Sequence, residues 1–463
     1  MDRKHIERNR QISRRHLLGV SAVAASAVSM GMHSDAAAIT AAVAQTPSTV
    51  TLDGTSLRIL KWEHVVPEYD MWFGQFASEW GQQHGVAVSV DLVDTTMIPN
   101  AVQTELAAGS GHDLIEHIAP LTMFAGGMTD LTDLLLEATR RHGPQQDFCR
   151  QDALDVATGR MYGFTHGYAP TALNYRPTLW QASGMPQGPR QWDDLASGGA
   201  NIWNKQGIEL GLGMSDDLDS NTTVLIALWA YGASLQDENG AITINSPETI
   251  EVVNLYKKLY ETYLTPGVFR WDVLSNNTKM ANGQASAIVN ALSAFRAAEA
   301  QKPEVAADFM LQPPLQGPAG PDHAMAPAHA RFVSIIPAFS RNQETAREFL
   351  LALVANYPQA VTASKSYNFP AFASTVPGLK QAGGLLDFDA AFPDQKGTLT
   401  ALKQSNRWTV QLGWPGPTTP VVASAIDEAV ISTMMARAAR GELSPQDAVT
   451  EAESRLKAIA ARR

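Results

Sequence analysis

The 463-residue chain has a single cysteine, Cys149, so no intramolecular disulfide can form and Cys149 is read as an inert thiol. Without a second cysteine or a spaced histidine pair, no cofactor or metal site is indicated. Basic residues are also scarce, with 35 Lys and Arg against 46 Asp and Glu, a formal net charge of −11. Residues 1–44 carry six of the basic and three of the acidic groups, leaving 29 against 43 beyond them, a net of −14. That balance argues against nucleic acid or an anionic membrane surface as a partner, because both demand basic patches. Long apolar runs are missing too. Leu17–Met32 falls short of the ~20 residues that span a bilayer. What is present is 45% hydrophobic residues, enough over this length for a large core divided between two lobes.

The short apolar run has a basic region before it and small residues after it, the layout of a secretory signal. Ser13-Arg14-Arg15-His16-Leu17-Leu18 resembles the twin-arginine export motif, with Leu17 and Gly19 departing from its usual residues. Ala42-Val43-Ala44 fits a small-x-small cleavage site, and Ala36-Ala37-Ala38 is a second candidate. Residues 1–44 are therefore expected to be a twin-arginine signal peptide. No cysteine near the cleavage region suggests a lipid anchor, so the mature chain is expected free in the periplasm.

Familiar catalytic patterns are absent. There is no glycine-rich phosphate loop between strand and helix, no G-x-S-x-G and no H-E-x-x-H. Asp217-Leu218-Asp219-Ser220-Asn221 begins like a calcium loop but lacks the glycine that should follow, and Leu228 stands at its twelfth position. Asp193-Asp194 and Asp216-Asp217 are adjacent pairs, which do not face each other on a helix and read as helix starts. Histidines 64, 112, 117, 166, 323 and 329 form no recognisable triad.

Along the chain, Leu57–Leu60 reads as a buried strand. Tyr69, Trp72, Phe73, Phe76 and Trp80 follow at helical spacing after Pro67 and end at Gly85. Val86, Val88, Val90 and Leu92 alternate as a second strand, Asn100–Ala108 is a helix, and Asp113–Ile118 is a third strand. This β-α-β-α-β order predicts a mostly parallel sheet with ligands at the strand ends. Later, Thr222–Tyr231 is an apolar helix, Ser246 and Pro247 start another, and Ala285–Val289 reads as a strand. Thr345–Val354 and Val422–Ala439 are long helices. Ser444 and Pro445 open a last helix, and Pro313–Pro327 should be a surface loop.

Several segments together resemble the bacterial extracellular solute-binding proteins of ABC importers, the maltodextrin-binding and other sugar-binding members above all. "GRMYGFTHGYAPTALNYRPTLWQASGMPQGPRQWDDL" carries Gly159, Tyr162, Gly163, Asn174-Tyr175, Gly184, Pro189 and Trp192-Asp193-Asp194-Leu195 of the family pattern. "GSGHDLIEH", "NGQASAIVN", "RNQETAREFLLALV" and "ARGELSPQDAVTEAESRL" follow in the family's order. Phe164-Thr165, Arg176 and Arg190-Gln191 depart from it. The resemblance implies a type II periplasmic-binding-protein-like α/β fold, with two α/β lobes, a hinge and an interlobe ligand cleft. Lobe 1 would be 51–166 and 333–375, and lobe 2 would be 167–332 and 376–463. It implies a monomer without enzymatic activity that captures a mono- or oligosaccharide and delivers it to an inner-membrane ABC permease.

A sugar offers hydroxyls in its ring plane and C–H faces above and below, suiting planar polar groups and aromatic rings. Trp62 after the first strand would stack, or close the core; Glu63 would meet hydroxyls. The family pattern puts His117 at a ligand-facing position, where a purely structural histidine fits equally. Tyr168 is the choice at the first hinge crossing. Asp219 and Asn221 precede Thr222, with helix capping the alternative for Asp219. Asn290 follows a strand, and Trp414 lies in the loop "GWPGP". A sugar phosphate ligand would need Lys61 and Arg176; a polyamine would need Glu63, Glu116 and Asp219. A secreted carbohydrate-active enzyme would need two carboxylates ~5–10 Å apart.

Overall fold

A computed structural model describes residues 52–387 and 397–462; the expected signal peptide lies outside these. Two sheets organise the chain. The larger has six strands in the order Phe369–Pro370, Phe164–Ala169, Ala330–Ile335, Leu114–His117, Ser56–Trp62 and Ala87–Val93. The smaller sets Ala172–Tyr175 between Ala287–Asn290 and Met310–Gln312, both antiparallel to it. Each anchors one lobe of the α/β fold.

The first lobe begins as its residue pattern predicts. Ser56–Trp62 pairs in parallel with Ala87–Val93 and with Leu114–His117. Between the first two runs the helix Pro67–His84, with proline in its first turn and Gly85 at φ 69° closing it. Tyr69, Phe73, Ala77 and Trp80 recur every three or four residues and are buried. Beyond these three strands the sheet is mixed. Ala330–Ile335 returns antiparallel to Leu114–His117, and Phe164–Ala169 is antiparallel to it in turn. A strand from the middle of the chain thus inserts into the N-terminal sheet, a pairing that local periodicity does not reveal.

Other expectations shift. The first strand runs through Lys61 and Trp62, which were expected in the loop after it. The helix expected from Thr222 spans Leu218–Tyr231, and Asp217 is its cap, accepting from the backbone N–H groups of Asp219 and Ser220. Asp194 likewise belongs to a capping box with Gln191, the helix-start role expected of it. The single helix expected over Val422–Ala439 is two, Pro420–Asp427 and Val430–Ala439, divided where Ala429 turns left-handed at φ 51°. Alanine strongly favours continued helix, so its sequence gives no warning of the break. Ala326–Pro327, expected in a surface loop, is buried and pairs with Thr409–Val410.

The strands Phe164–Ala169 and Ala330–Ile335 both belong wholly to the six-stranded sheet, the first running three residues past the changeover expected at 166/167 and the second starting three residues before the one expected at 332/333. Further on, the carbonyl of Thr398 accepts from Leu311 N–H beside the smaller sheet. The loop after Thr409–Val410 is tied to both halves. Leu412 N–H and Thr418 Oγ1 donate to Asp152, while Gln236 Nε2 donates to the carbonyls of Gly413 and Pro417.

Candidate ligand-binding cleft

Where the two lobes meet, the helix Leu218–Tyr231 presents its first turn to the end of the larger sheet. Asp219 is 5% exposed. Its Oδ2 accepts from Asn276 Nδ2 at 2.9 Å and Asn290 Nδ2 at 2.8 Å. Asn290 is itself fixed, since its Oδ1 accepts from Ala291 N–H and Ser293 Oγ. The other carboxylate oxygen, Oδ1, is buried without a hydrogen-bond partner. His329 Nε2 lies 3.7 Å from it, too far for a hydrogen bond. Burial, and then the negative charge of Asp217, push the Asp219 carboxyl well above the usual carboxylate range, against the pull of the two amides. Burial and the nearby Arg331 hold His329 down at about 4, so it is neutral at pH 7. An oxygen left in this state costs on the order of 1–3 kcal/mol, which a ligand donor would offset.

The first lobe brings a cluster of rings to this junction. Trp62 stacks on Phe332 with centroids 6.0 Å apart and leans on His64 at 4.8 Å. Tyr367 meets His64 edge-on at 5.2 Å, and the field of Asp219 reaches it. The Trp62 Nε1–H is buried and unpartnered, as is His117 Nδ1. Burial, then Arg331, lower His117 to about 4. The lobes also touch directly, as Arg296 donates through Nε and Nη2 to the carbonyl of Lys365 at 3.1 and 2.6 Å. Lys365 and Ser366 hold φ of 50° and 65° to present that carbonyl.

Of the eight residues read from the sequence, Trp62, His117 and Asp219 have buried, unpartnered polar atoms at this junction, and Asn290 orients Asp219. The other four are placed differently. Glu63 is exposed at the strand end. Tyr168 is fully buried, edge-on to Phe148 at 4.8 Å, within the core of the first lobe. Asn221 is fully buried and engaged, donating to the Asp217 carbonyl and accepting from Ser432 N–H. Its place in the first turn turns its amide into the second lobe. Trp414 packs against Trp229 at 5.4 Å and His323 at 5.5 Å. Trp229 lies ten residues along the helix from Asp219, an axial rise of about 15 Å. His329, Phe332, Tyr367 and Asn276 were missed as site residues. Each neighbours the site only through long-range packing, and none stands in a local motif.

Of the residues on which the charged-ligand readings depended, Lys61, Arg176 and Glu116 are already engaged, whereas Glu63 is exposed and Asp219 keeps an open oxygen. Lys61 is fully buried, 2.9 Å from Asp70 and 3.9 Å from Glu116. Arg176 reaches Asp308 and the Gly283 carbonyl. Glu116 accepts from His166 Nε2 at 2.6 Å. Asp152, also fully buried, lies 3.2 Å from Arg331 and accepts from Thr418.

Two α/β lobes meeting over a buried set of rings and polar groups define a bilobal binding protein. Residues 75–382 match the family model of the bacterial extracellular solute-binding proteins, more than half of the chain, and the chain belongs to that family. Solved relatives agree on the fold. An ABC transporter solute-binding protein of Thermotoga lettingae, bound with α-D-tagatose, is 18% identical. It covers 88% of this chain and 100% of its own, with a TM-score of 0.71. Maltose-bound MalE3 of T. maritima is 20% identical over 87% of this chain and 99% of its own, with a TM-score of 0.70. A binding protein of Brucella abortus (strain 2308) is 23% identical over 188 residues, 40% of this chain. The match spans 45% of that relative, less than half its length.

Proposed function

We propose that the chain is the periplasmic receptor of an ABC importer, and that it captures a carbohydrate between its lobes and delivers it unaltered to the permease. The observation that carries this reading is the buried, unpartnered Asp219 Oδ1 at a junction to which the first lobe brings the rings of Trp62, Phe332 and Tyr367. Rings suit the C–H faces of a sugar, while Asp219, Trp62 Nε1 and His117 Nδ1 suit its polar edge. The crossings between lobes fall near Pro170, near Ala328 and between Thr375 and Thr398. Closure about them is a hinge motion, favoured because only the closed form makes both sets of contacts. The twin-arginine-like leader supports export, and the protein acts as a monomer. Turnover is disfavoured because the buried carboxylates Glu116 and Asp152 are already paired. A thermal-shift screen of saccharides tests the reading. Stabilisation by a sugar that is recovered intact is expected, whereas saccharide consumption, or the absence of any stabilising sugar, refutes it.

A further inference from the structure

Asp219 is a hydrogen-bond acceptor with nothing donating to one of its oxygens, and it is also a carboxylate without a counter-charge. The groups facing it from each neighbouring element are Asp217 on its own helix, the neutral amides Asn276 and Asn290, His329, and Tyr367. Arg331, which bears on the neighbouring His329, is turned to Asp152. Lys61 lies 5.5 Å from the Trp62 ring centroid but is committed to Asp70 and Glu116. Once ionised, Asp219 would stand without a counter-charge beside aromatic rings, so a ligand that supplies the cation suits the site, and an alkylammonium group does so. Trp62 Nε1–H, also buried and unpartnered, calls for an acceptor oxygen on the same ligand. A linear polyamine offers no such oxygen, and a neutral sugar offers no charge.

We propose that the solute is a carbohydrate bearing a protonated amino group, and that this ammonium seats on Oδ1 of Asp219 while the sugar ring and its oxygens meet Trp62. The proposal rests on the carbohydrate reading above and narrows its ligand class. Ion pairing on Asp219 forces its carboxyl to ionise, so binding releases a proton and affinity rises with pH while the amine stays protonated. His329, held at about 4, stays neutral through that range.

Isothermal titration at pH 6.5 with D-glucosamine, D-galactosamine and the β-1,4-linked glucosamine disaccharide tests this, against D-glucose, D-galactose and cellobiose, with spermidine as a third arm. At least one amino sugar should bind tenfold or more tighter than its hydroxyl counterpart. Asp219→Asn should remove most of that difference. For the unmodified protein, affinity for the amino sugar should climb by up to tenfold per unit between pH 5 and 6.5, with net proton release. Equal or tighter binding of the neutral sugars overturns the proposal and leaves the carbohydrate reading intact. Preference for spermidine, or binding of no sugar of either kind, overturns both. A flat pH profile without proton release also overturns it, whether or not Asp219→Asn folds.

Discussion

Lys61→Met tests the charge network beneath the site. Lys61 is fully buried, and its ammonium is the cation shared by Asp70 and Glu116. Methionine keeps much of the apolar stem and removes the charge. The loss can be gauged from Glu116. Burial alone works to raise its carboxyl, but Lys61 and His166 outweigh that and hold it at about 2, against an ordinary 4.5. At 1.36 kcal/mol per unit, that depression is worth about 3 kcal/mol of stability. It is present above pH 4.5 and is lost as pH falls toward 2. Deleting one partner of a buried ion pair independently suggests a loss of about 3–5 kcal/mol. Lys61→Met should therefore cost about 3–5 kcal/mol at pH 7.5 in urea unfolding followed by tryptophan fluorescence. Without the cation, the strongest force holding the Glu116 carboxyl down is gone and burial drives it up from about 2, with His166 still opposing. The variant then regains relative stability as pH falls through that raised value, and its deficit at pH 5 should be smaller. A loss below about 1 kcal/mol at pH 7.5, or one unchanged at pH 5, would show that the network does not bear on stability as argued.

His64, His117 and His329 are each lowered to about 4, burial being the largest cause in all three. A depressed histidine stabilises above its unfolded value of 6.5 and loses that contribution as pH falls toward 4. Near pH 5 these three sites should bind about three more protons in the unfolded chain, while the raised carboxyls of Asp152 and Asp219 hold up to about two more in the native one. Urea unfolding should therefore show stability falling by about 1–3 kcal/mol per pH unit there, and stability that rises as pH falls would contradict the buried, neutral assignment. Arg296→Ala removes both bonds to the Lys365 carbonyl across the lobes. At about 1.5–3 kcal/mol for a charge-assisted contact, solute release should quicken roughly 10- to 100-fold and the solution radius of gyration should grow. Unchanged release would leave the contact without a role in closure.

The fold class was legible because its cues are local and repeated. Proline at Pro67, Pro247 and Pro445, left-handed glycine at Gly85, and the 3–4 spacing from Tyr69 to Trp80 each act within one helix. Three parallel strands followed from the same periodicities. Asp219 and Trp62 were reachable because loops and helix starts at strand ends are where such folds expose polar groups and rings.

What tertiary structure decided is which side chains share one space and which partners they have already taken. Asn221 and Asp219 are two residues apart on one helix, yet the first is consumed by Asp217 and Ser432 and the second keeps an open oxygen. Lys61 looked available beside Trp62 until alternate strand faces sent it inward to Asp70. His329 and Tyr367 join Asp219 only because the chain returns to the first sheet after more than 100 residues. Periodicity records which face of an element turns inward, because that depends on its own residues. It cannot record what waits on the far side, because that depends on segments hundreds of residues away.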